Sequence, residues 1–526
     1  MTRRLLALAI VLAWLAGCGG QASSPTNGIP PLAAPLLRSQ TAGDSELPEP
    51  PVVKATGGVA SLVLIVNENR VTGQPEFEYD RLRNVAPTID VKPGETIQID
   101  LRNNLPAEPP PGSSVMRDDI NLHFHGLGVS PQRPGDDVLD VMVKPGKKAR
   151  YVIPIPTSQE PGLYWYHPHI HGETNFQVGE SGMSGAIVVE GLAHHLHGLA
   201  KMKQRLIIVR ATGEGGDAAM PGMPGAEQIR PAGSNTNPCT SKDGLMVTLN
   251  GARRPDITIA PGEKQFFRVV NATGHKTLRL NVQGEKVELV AIDGFALDTY
   301  PGTPPTLTES AVTVPPAGRA EFVVTGPPSG RAKFQTLCYN TGPNGDADPY
   351  LELGRIVAPK HHAEGGDFSS QPLTAGEPLP QNAYTTSLPA PSAKRLVVLS
   401  EDNKPHFFIN GKSFAMRAPP MFVVHTGTVE EWKVVNVTQE VHDFHIHQIH
   451  FLVQSINGIK LEHPHWADSV IVPHRSTTGP GEQHSVPGSL VLLMDFRDPI
   501  IRGEFLFHCH ILDHEDQGMM AKIEAI

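Results

Sequence analysis

Short runs of alternating apolar and polar residues dominate this chain, and no long stretch repeats apolar residues at helical spacing. In residues 96–103, for example, Ile97, Ile99 and Leu101 alternate with polar side chains. Such alternation is typical of a β-strand with one buried face. The chain also contains 51 glycines and 50 prolines, which favour turns between such runs. The pattern predicts an all-β fold of many short strands.

One version of this pattern occurs three times. A turn glycine (Gly94, Gly262 or Gly427) precedes each run, and an asparagine follows nine residues after it, at Asn103, Asn271 and Asn436. The copies are 168 and 165 residues apart. Near-equal spacing indicates three β modules of similar size. We place them at residues 56–191, 192–357 and 392–526, with a Pro- and Ala-rich connector at 358–391.

A second landmark aligns the last two modules: Asp293-Gly294 in module 2 corresponds to Asn457-Gly458 in module 3. Sixteen residues before each glycine, the two modules differ in chemistry. Module 3 has His442, His445 and His447 where module 2 has Leu278, Asn281 and Gln283. We therefore expect module 2 to lack metal ligands and to hold the outer modules in register.

The most informative segment is 507–514, which contains His508-Cys509-His510 and His514, with Met519 five residues further on. Side chains alternate along a strand, so the two flanking imidazoles face one way and the thiolate the other. Two histidines, one cysteine and a distant methionine form the ligand set of electron-transfer copper. A structural zinc site would use four short ligands, and this segment has no second cysteine.

Four His-x-His pairs carry the candidate chemistry of this chain. Any one alone is more often a surface or core pair than a metal site. Four of them, divided between modules 1 and 3, predict eight imidazoles converging where those modules meet. The pairs are His123 and His125, His167 and His169, His445 and His447, and His508 and His510.

These clusters, in this order, resemble those of the three-domain bacterial multicopper oxidases, the laccase-like family. The resemblance implies three cupredoxin-like Greek-key β-barrel or sandwich domains in tandem and four coppers per chain. It implies a type 1 copper bound by His442, Cys509, His514 and axial Met519. It implies a type 2 copper at His123 and His445, and two type 3 coppers at His125, His167, His169, His447, His508 and His510. Family members usually have proline after the first histidine of the third cluster, whereas this chain has Asp443, which leaves the ligand spacing intact and changes the polarity near the electron-entry site.

The resemblance also implies a mechanism in which a reductant gives single electrons at the type 1 site and O₂ is reduced to water at the other three coppers. Oxygen reduction consumes protons, and Glu515 matches the family's proton-donating acid. Asp136 resembles the acid of the first module that supports it, although the adjacent Asp137 competes for that role. For each, the alternative is a surface carboxylate.

Cysteine usage and the N-terminus indicate export. Residues 1–17 resemble a lipoprotein signal peptide with Cys18 as the lipid-modified residue; a simple cleaved signal is the alternative. A Pro-, Ser- and Gly-rich tether at 18–55 would follow, placing the protein in the cell envelope or periplasm. With Cys18 and Cys509 assigned, Cys239 and Cys338 form either a disulfide or two buried thiols.

Composition leaves several function classes open. The formal net charge of −10 does not suit nucleic-acid binding. Phenols and aromatic amines are the expected substrates, with oxidation of Cu(I), Fe(II) or Mn(II) as the alternative. The connector has no methionine, unlike copper-efflux relatives, and Met220 and Met223 are weak support for a metal substrate. An electron carrier or a copper nitrite reductase would leave type 3 histidines unexplained. We expect a monomer whose partners are O₂, a small reductant and a membrane.

Overall fold

The computed structural model describes residues 45–107, 118–213, 239, 245–359, 373–376, 384, 387–402, 404, 406–478 and 484–526. The predicted signal peptide, Cys18, Met220, Met223 and much of the connector lie outside these residues. Nearly all of the regular structure is β-strand, which confirms the predicted all-β class. In the described part of the chain, no helix is both long and apolar enough to cross a bilayer.

Module 1 is a sandwich of two five-stranded sheets. Its strands are β1 Val52–Lys54, β2 Val59–Glu68, β3 Pro75–Tyr79, β4 Leu82–Arg83, β5 Thr88–Val91, β6 Thr96–Asn103, β7 His123–His125, β8 Lys148–Pro154, β9 Gly162–His167 and β10 Gly185–Val189. The sheet orders are β4-β3-β2-β6-β8 and β1-β5-β10-β9-β7. Alternating residues of β2 and β6, such as Leu64 and Ile99, fill the core between the sheets.

Module 2 has the same two-sheet plan. Its strands, preceded by β11 Leu196–His197, are β12 Lys203–Gly213, β13 Leu245–Leu249, β14 Asp256–Thr258, β15 Lys264–Asn271, β16 Leu278–Val282, β17 Val287–Ile292, β18 Phe295–Ala296, β19 Leu307–Glu309, β20 Val312–Val314, β21 Arg319–Thr325, β22 Arg331–Leu337 and β23 Leu351–Val357. One sheet has the order β13-β12-β15-β21-β17-β18, with β19 on β17, and the other β14-β23-β22-β16-β20. The predicted boundary at residue 357 is the last residue of β23.

Module 3 begins after the connector. Its strands, preceded by β24 Thr374–Ala375, are β25 Ala393–Glu401, β26 Phe407–Ile409, β27 Phe422–Val424, β28 Thr428–Asn436, β29 His442–Ile446, β30 Phe451–Ile456, β31 Ile459–Ala467, β32 Ser469–Val472, β33 Ser476–Thr478, β34 His484–Val486, β35 Gly488–Phe496, β36 Gly503–Cys509 and β37 Met520–Ala525. Its sheets are β26-β25-β28-β35-β30-β31 and β27-β37-β36-β29-β32. Two ribbons, β11-β24 and β33-β34, stand apart.

Within the residues that the structure describes, helical structure is confined to short turns. The α-helical segments are α1 Leu192–His195 and α2 Leu512–Asp516, and a π-helical turn covers Asn175–Glu180. Three 3₁₀ turns cover Leu199–Lys201, Leu297–Thr299 and Pro499–Ile501. The α2 segment follows β36, which ends at Cys509, so α2 carries His514 and Glu515 close to Cys509.

The repeated asparagine does the same work in all three modules. Its side-chain amide donates to backbone carbonyls across the end of the sandwich: Asn103 to Val143, Asn271 to Val314 and Asn436 to Glu440, at 2.7–3.0 Å. In each module its carbonyl also accepts from the backbone N–H two residues later. All three side chains are fully buried. The repeated asparagine therefore stabilises the turn that follows the strand in each module.

The predicted tether extends too far into the chain. Residues 45–55 are packed: Leu47 is buried in the core of module 2, and β1 pairs with β5 in parallel. Glu46 accepts hydrogen bonds from Thr258 and Arg205. The alternation of apolar and polar residues in 45–55 is too short to distinguish this segment from a linker. The sequence therefore did not predict that it packs against modules 1 and 2.

Cys239 and Cys338 form a disulfide in the structure, which decides between the two alternatives that the sequence left open. Cys338 directly follows β22 of module 2. The bond closes a loop of 99 residues in sequence. Among the described residues, Cys509 is the free cysteine, and it is buried.

Candidate metal centre

Strand pairing brings the four His-x-His pairs together. Strand β7 pairs with β9, which sets His123 opposite His167, and β29 pairs with β36, which sets His445 opposite His508. All eight imidazoles are at least 98% buried. Modules 1 and 3 therefore enclose one cluster of histidines, as the sequence predicted from their spacing.

Within the cluster, His169, His447 and His508 offer ligand atoms within 4.8 Å of one another, as do His123, His125 and His445. In the first set, the Nε2 atom of His508 lies 3.3 Å from that of His169 and 3.2 Å from that of His447. The rings of His167 and His510 lie 5.6 Å apart and 5.8 and 5.2 Å from His125. These groupings bring together the residues predicted for the type 2 and type 3 coppers.

The buried nitrogens show that the cluster fits metal ions. The Nε2 atoms without a hydrogen-bond partner belong to His123, His125, His167, His445 and His510. Buried polar atoms are rarely left unpaired. Burial, with further repulsion from neighbouring rings, lowers the pKa of His167 and His447 well below the ordinary value. Neutral imidazole is the form that binds a metal, so the donor set is ready for it.

Acceptors behind the cluster orient several rings. The Nδ1 atom of His123 lies 2.9 Å from Oδ2 of Asp136, and Nδ1 of His445 lies 2.7 Å from the carbonyl of Asp468. A proton held on Nδ1 leaves Nε2 free for a metal. Asp137 instead accepts hydrogen bonds from Arg133 and nearby backbone within its own loop. The geometry thus favours Asp136 over Asp137 as the supporting acid.

Gln448 reinforces Asp136 and was not singled out in the sequence. Its side-chain amide donates to Oδ2 of Asp136 over 2.7 Å, linking module 3 to module 1. Its backbone has φ of 58°, an uncommon value for a residue with a side chain. It also forms part of the wall of a cavity of about 230 Å³ between the two modules. Its position between His447 and Ile449 made it look like a spacer.

Glu515 lies inside the cluster rather than on the surface. Its Oε2 is 3.0 Å from Nδ1 of His508, and its Oε1 is 3.5 Å from Nε2 of His169. Burial alone raises the pKa of this carboxyl, but the adjacent His508 and His169 rings outweigh burial and hold it well below its ordinary value. The carboxylate is thus fully buried and in contact with two predicted type 3 ligands.

The predicted type 1 ligands form a second group. The Nδ1 atoms of His442 and His514 lie 3.0 Å apart, and the Sγ atom of Cys509 lies 3.7 and 3.6 Å from them. Met519 is buried in the same core as Cys509, and its carbonyl accepts from the amide of Cys509 over 3.0 Å. Burial raises the pKa of the Cys509 thiol and lowers that of His442 to about 3. A soft thiol beside two neutral imidazoles suits copper.

The outer edges of this group meet polar side chains. Nε2 of His442 is 3.0 Å from the hydroxyl of Thr438, and Nε2 of His514 is 3.5 Å from a carboxyl oxygen of Glu440. Burial, followed by the neighbouring Glu401, raises the pKa of Glu440 well above its ordinary value. His514 retains 6% exposure and stacks on Phe407. This edge is the shallower side of the group.

Module 2 contributes to the histidine cluster although none of the predicted ligands belongs to it. Arg319 is fully buried and donates to both carboxylate oxygens of Asp468, over 2.6 and 2.5 Å, and to the carbonyl of Asp293. Its guanidinium also lies 3.4 Å from Nδ1 of His125. Nε2 of the buried His450 lies 3.2 Å from Oδ2 of Asp468, so His450 is a further contact of this carboxylate. The expectation that module 2 is only a scaffold is therefore incomplete.

Comparison with known proteins agrees with this geometry. Two sequence models described as multicopper oxidase match residues 83–194 and 387–525, which contain all twelve predicted ligands. The multicopper oxidase mco of Staphylococcus haemolyticus is 25% identical, over 86% of each chain. The chain belongs to the multicopper oxidase family. It is accordingly an oxidoreductase that uses copper and O₂.

Other relatives of this multicopper oxidase include a laccase of Bacillus subtilis, 23% identical over 84% of this chain and 88% of the laccase. Among solved structures, a multicopper oxidase from Campylobacter jejuni described as a metallo-oxidase superposes with a TM-score of 0.67, at 23% identity over 91% of this chain and 96% of the other. McoA of Aquifex aeolicus gives 0.66, at 21% identity over 91% and 99%. At these identities, the structural likeness shows the cupredoxin-like fold alone.

Proposed function

We propose that the protein is a laccase-like oxidase that takes single electrons from phenols or aromatic amines and reduces O₂ to water, with four coppers per chain. The observation that carries this proposal is the position of Cys509. Its sulfur belongs to the group with His442 and His514, while the flanking His508 and His510 belong to the other cluster. One strand therefore connects two metal groups of different chemistry.

When bound, a type 1 copper would accept electrons from the reductant, and the three clustered coppers would deliver them to O₂. The chain provides the connection between them. Cys509 is covalently joined to both cluster histidines, and its carbonyl oxygen lies 3.1 Å from Nδ1 of His508. Glu515, in contact with His508, would accept a proton and pass it on during oxygen reduction. Asp136 keeps His123 oriented through Nδ1.

The position of Glu440 favours an organic molecule as the reductant. Its carboxyl group lies beside the shallow Nε2 edge of His514, where it can accept a hydrogen bond from a phenol hydroxyl or an aromatic amine. Such a bond would hold the donor ring near the imidazole edge. The connector at 358–391 has no methionine, and thioether-rich segments are what favour Cu(I).

Oxidation of Cu(I), Fe(II) or Mn(II) is the second candidate. The carboxyl group of Glu440 also suits a cation, and the Campylobacter jejuni neighbour is described as a metallo-oxidase. A simple electron carrier would need only the group around Cys509. It would leave the eight clustered imidazoles without a purpose.

The location of the protein is a further part of the proposal. The lipobox-like sequence ending at Cys18 supports export and a lipid anchor in the cell envelope, with the folded modules acting as a monomer. Radiolabelled palmitate incorporation, lost on Cys18→Ala, tests the anchor. Light scattering of the protein without residues 1–44 tests the monomer.

The experiment that tests the function combines copper content with oxygen uptake. About four coppers per chain and O₂ consumption with a phenol support the oxidase, and one copper without O₂ consumption supports the carrier. Faster turnover with Cu(I) than with the phenol would favour the second candidate. Cys509→Ser should remove the blue absorption and the turnover while leaving the fold; retained turnover would contradict the assignment.

A further inference from the structure

Asp443 occupies the position after His442 where family members usually have proline. Proline has no backbone N–H, whereas aspartate does. In this structure the amide nitrogen of Asp443 donates to Sγ of Cys509 over 3.4 Å, within the range for sulfur acceptors. Asp443 and Cys509 are both fully buried, so water does not compete with this bond.

Strand geometry directs the amide of Asp443 towards the sulfur of Cys509. The carbonyl of Asp443 accepts from the amide of His510 over 2.8 Å, so Asp443 turns its backbone polar groups towards β36. On that side its N–H meets sulfur rather than a backbone carbonyl. The sulfur thus receives an amide hydrogen bond from Asp443 that a chain with proline at this position could not offer.

We propose that the Asp443 N–H is a tuning group for the type 1 site, which raises its reduction potential and so widens the range of organic reductants that the oxidase accepts. This inference rests on the proposed function. The positive end of an N–H dipole beside sulfur favours the state with more negative charge on the thiolate, which is the reduced state. Hydrogen bonds to this sulfur are a recognised means of setting the potential of such sites.

The size of the effect follows from the strength of one hydrogen bond. The bond exists in both redox states, so only the difference in its strength between them shifts the potential, and we take that difference as about tenfold in the equilibrium constant. For a one-electron couple, a tenfold change in the equilibrium constant equals about 59 mV. Loss of the Asp443 N–H should therefore lower the type 1 potential by about that amount.

The test compares Asp443→Pro with Asp443→Ala in the copper-loaded protein. Both variants lack the carboxyl group, but only the alanine variant retains the N–H. Proline suits this position because His442, the residue before it, is already extended. Redox titration of the blue absorption should give a potential for the proline variant about 59 mV below that of the alanine variant, with the sulfur-to-copper band shifted in energy. Equal potentials in the two variants would overturn the inference.

A second measurement keeps the inference testable if the proline variant does not fold. Transfer of the wild-type protein to D₂O, with refolding to exchange the buried amides, should shift the copper–sulfur vibrations seen by resonance Raman spectroscopy. The shift of these vibrations should be larger than in the same protein transferred to D₂O without refolding. Identical spectra in the two samples would refute the hydrogen bond from Asp443 to Cys509. Absence of any blue absorption in wild-type protein would instead refute the proposed function.

Discussion

Arg319→Met is the substitution that best tests how module 2 supports the histidine cluster. Methionine keeps much of the side-chain volume but removes the two short bonds to Asp468 and the bond to Asp293. Asp468 would then be a buried carboxylate without its cation. Breaking a buried ion pair by removing one partner costs about 3–5 kcal/mol. For a module of this size, 1 kcal/mol corresponds to about 2–4 °C in Tm, so we expect a loss of about 10 °C.

The assay is thermal unfolding of the copper-free protein, followed by copper loading. Arg319 contacts His125, and Asp468 contacts His445, so the variant should also lose cluster copper before it loses the blue absorption. Arg150→Met is the matched control. It removes a bidentate bond to Asp100 on the exposed surface, where ion pairs contribute little.

The double variant Arg319→Met/Asp468→Asn separates lost attraction from a stranded charge. It should recover part of the lost Tm because no uncompensated carboxylate remains. A loss below about 2 °C for Arg319→Met would refute the reasoning, since it would mean that the guanidinium offsets little of the burial of Asp468. No recovery in the double variant would show that shape, not charge, is what the arginine provides.

Three further predictions follow from the same geometry. Burial raises the pKa of Asp293 to about 7, so the stability that its protonated form contributes is complete at low pH and is lost as pH rises through about 7. Asp293→Asn should abolish this loss of stability. An equal Tm difference between variant and wild type at pH 5 and pH 8 would contradict the prediction. Glu515→Gln should slow oxygen uptake by about 10²-fold while anaerobic bleaching of the blue absorption stays at the wild-type rate; unchanged oxygen uptake would remove Glu515 from the mechanism. Gln448→Gly suits a φ of 58° but removes the bond to Asp136, so type 2 copper should bind about tenfold more weakly, and wild-type affinity would refute a positioning role.

The ligand clusters were predictable because their information is local. Side chains two residues apart on a strand point to the same side. His508 and His510 could therefore be paired without knowing the fold. The repeated asparagine was equally visible, since each copy acts within its own module. Glu515, directly after His514, was named from the resemblance to the family rather than from a local pattern.

What the sequence concealed depends on contacts between modules. Arg319 and Asp293 meet within module 2, but Asp468 of module 3 reaches Arg319 only when the modules pack. The Asp293-Gly294 pair was noticed as a turn landmark, and both residues do have positive φ, but the carboxylate's second role had no local signal. Gln448 acts on a residue 312 positions away. Such partners would require the three-dimensional arrangement to be found.

The two metal groups differ in how much of the chain each requires. The residues around Cys509 all come from module 3, between His442 and Met519, whereas the eight imidazoles are drawn equally from the first and last modules. A molecule whose outer modules had separated would thus keep its colour while losing its capacity to consume oxygen. Blue absorbance alone therefore reports on one third of the protein, and preparations of equal colour can differ widely in the fraction that turns over.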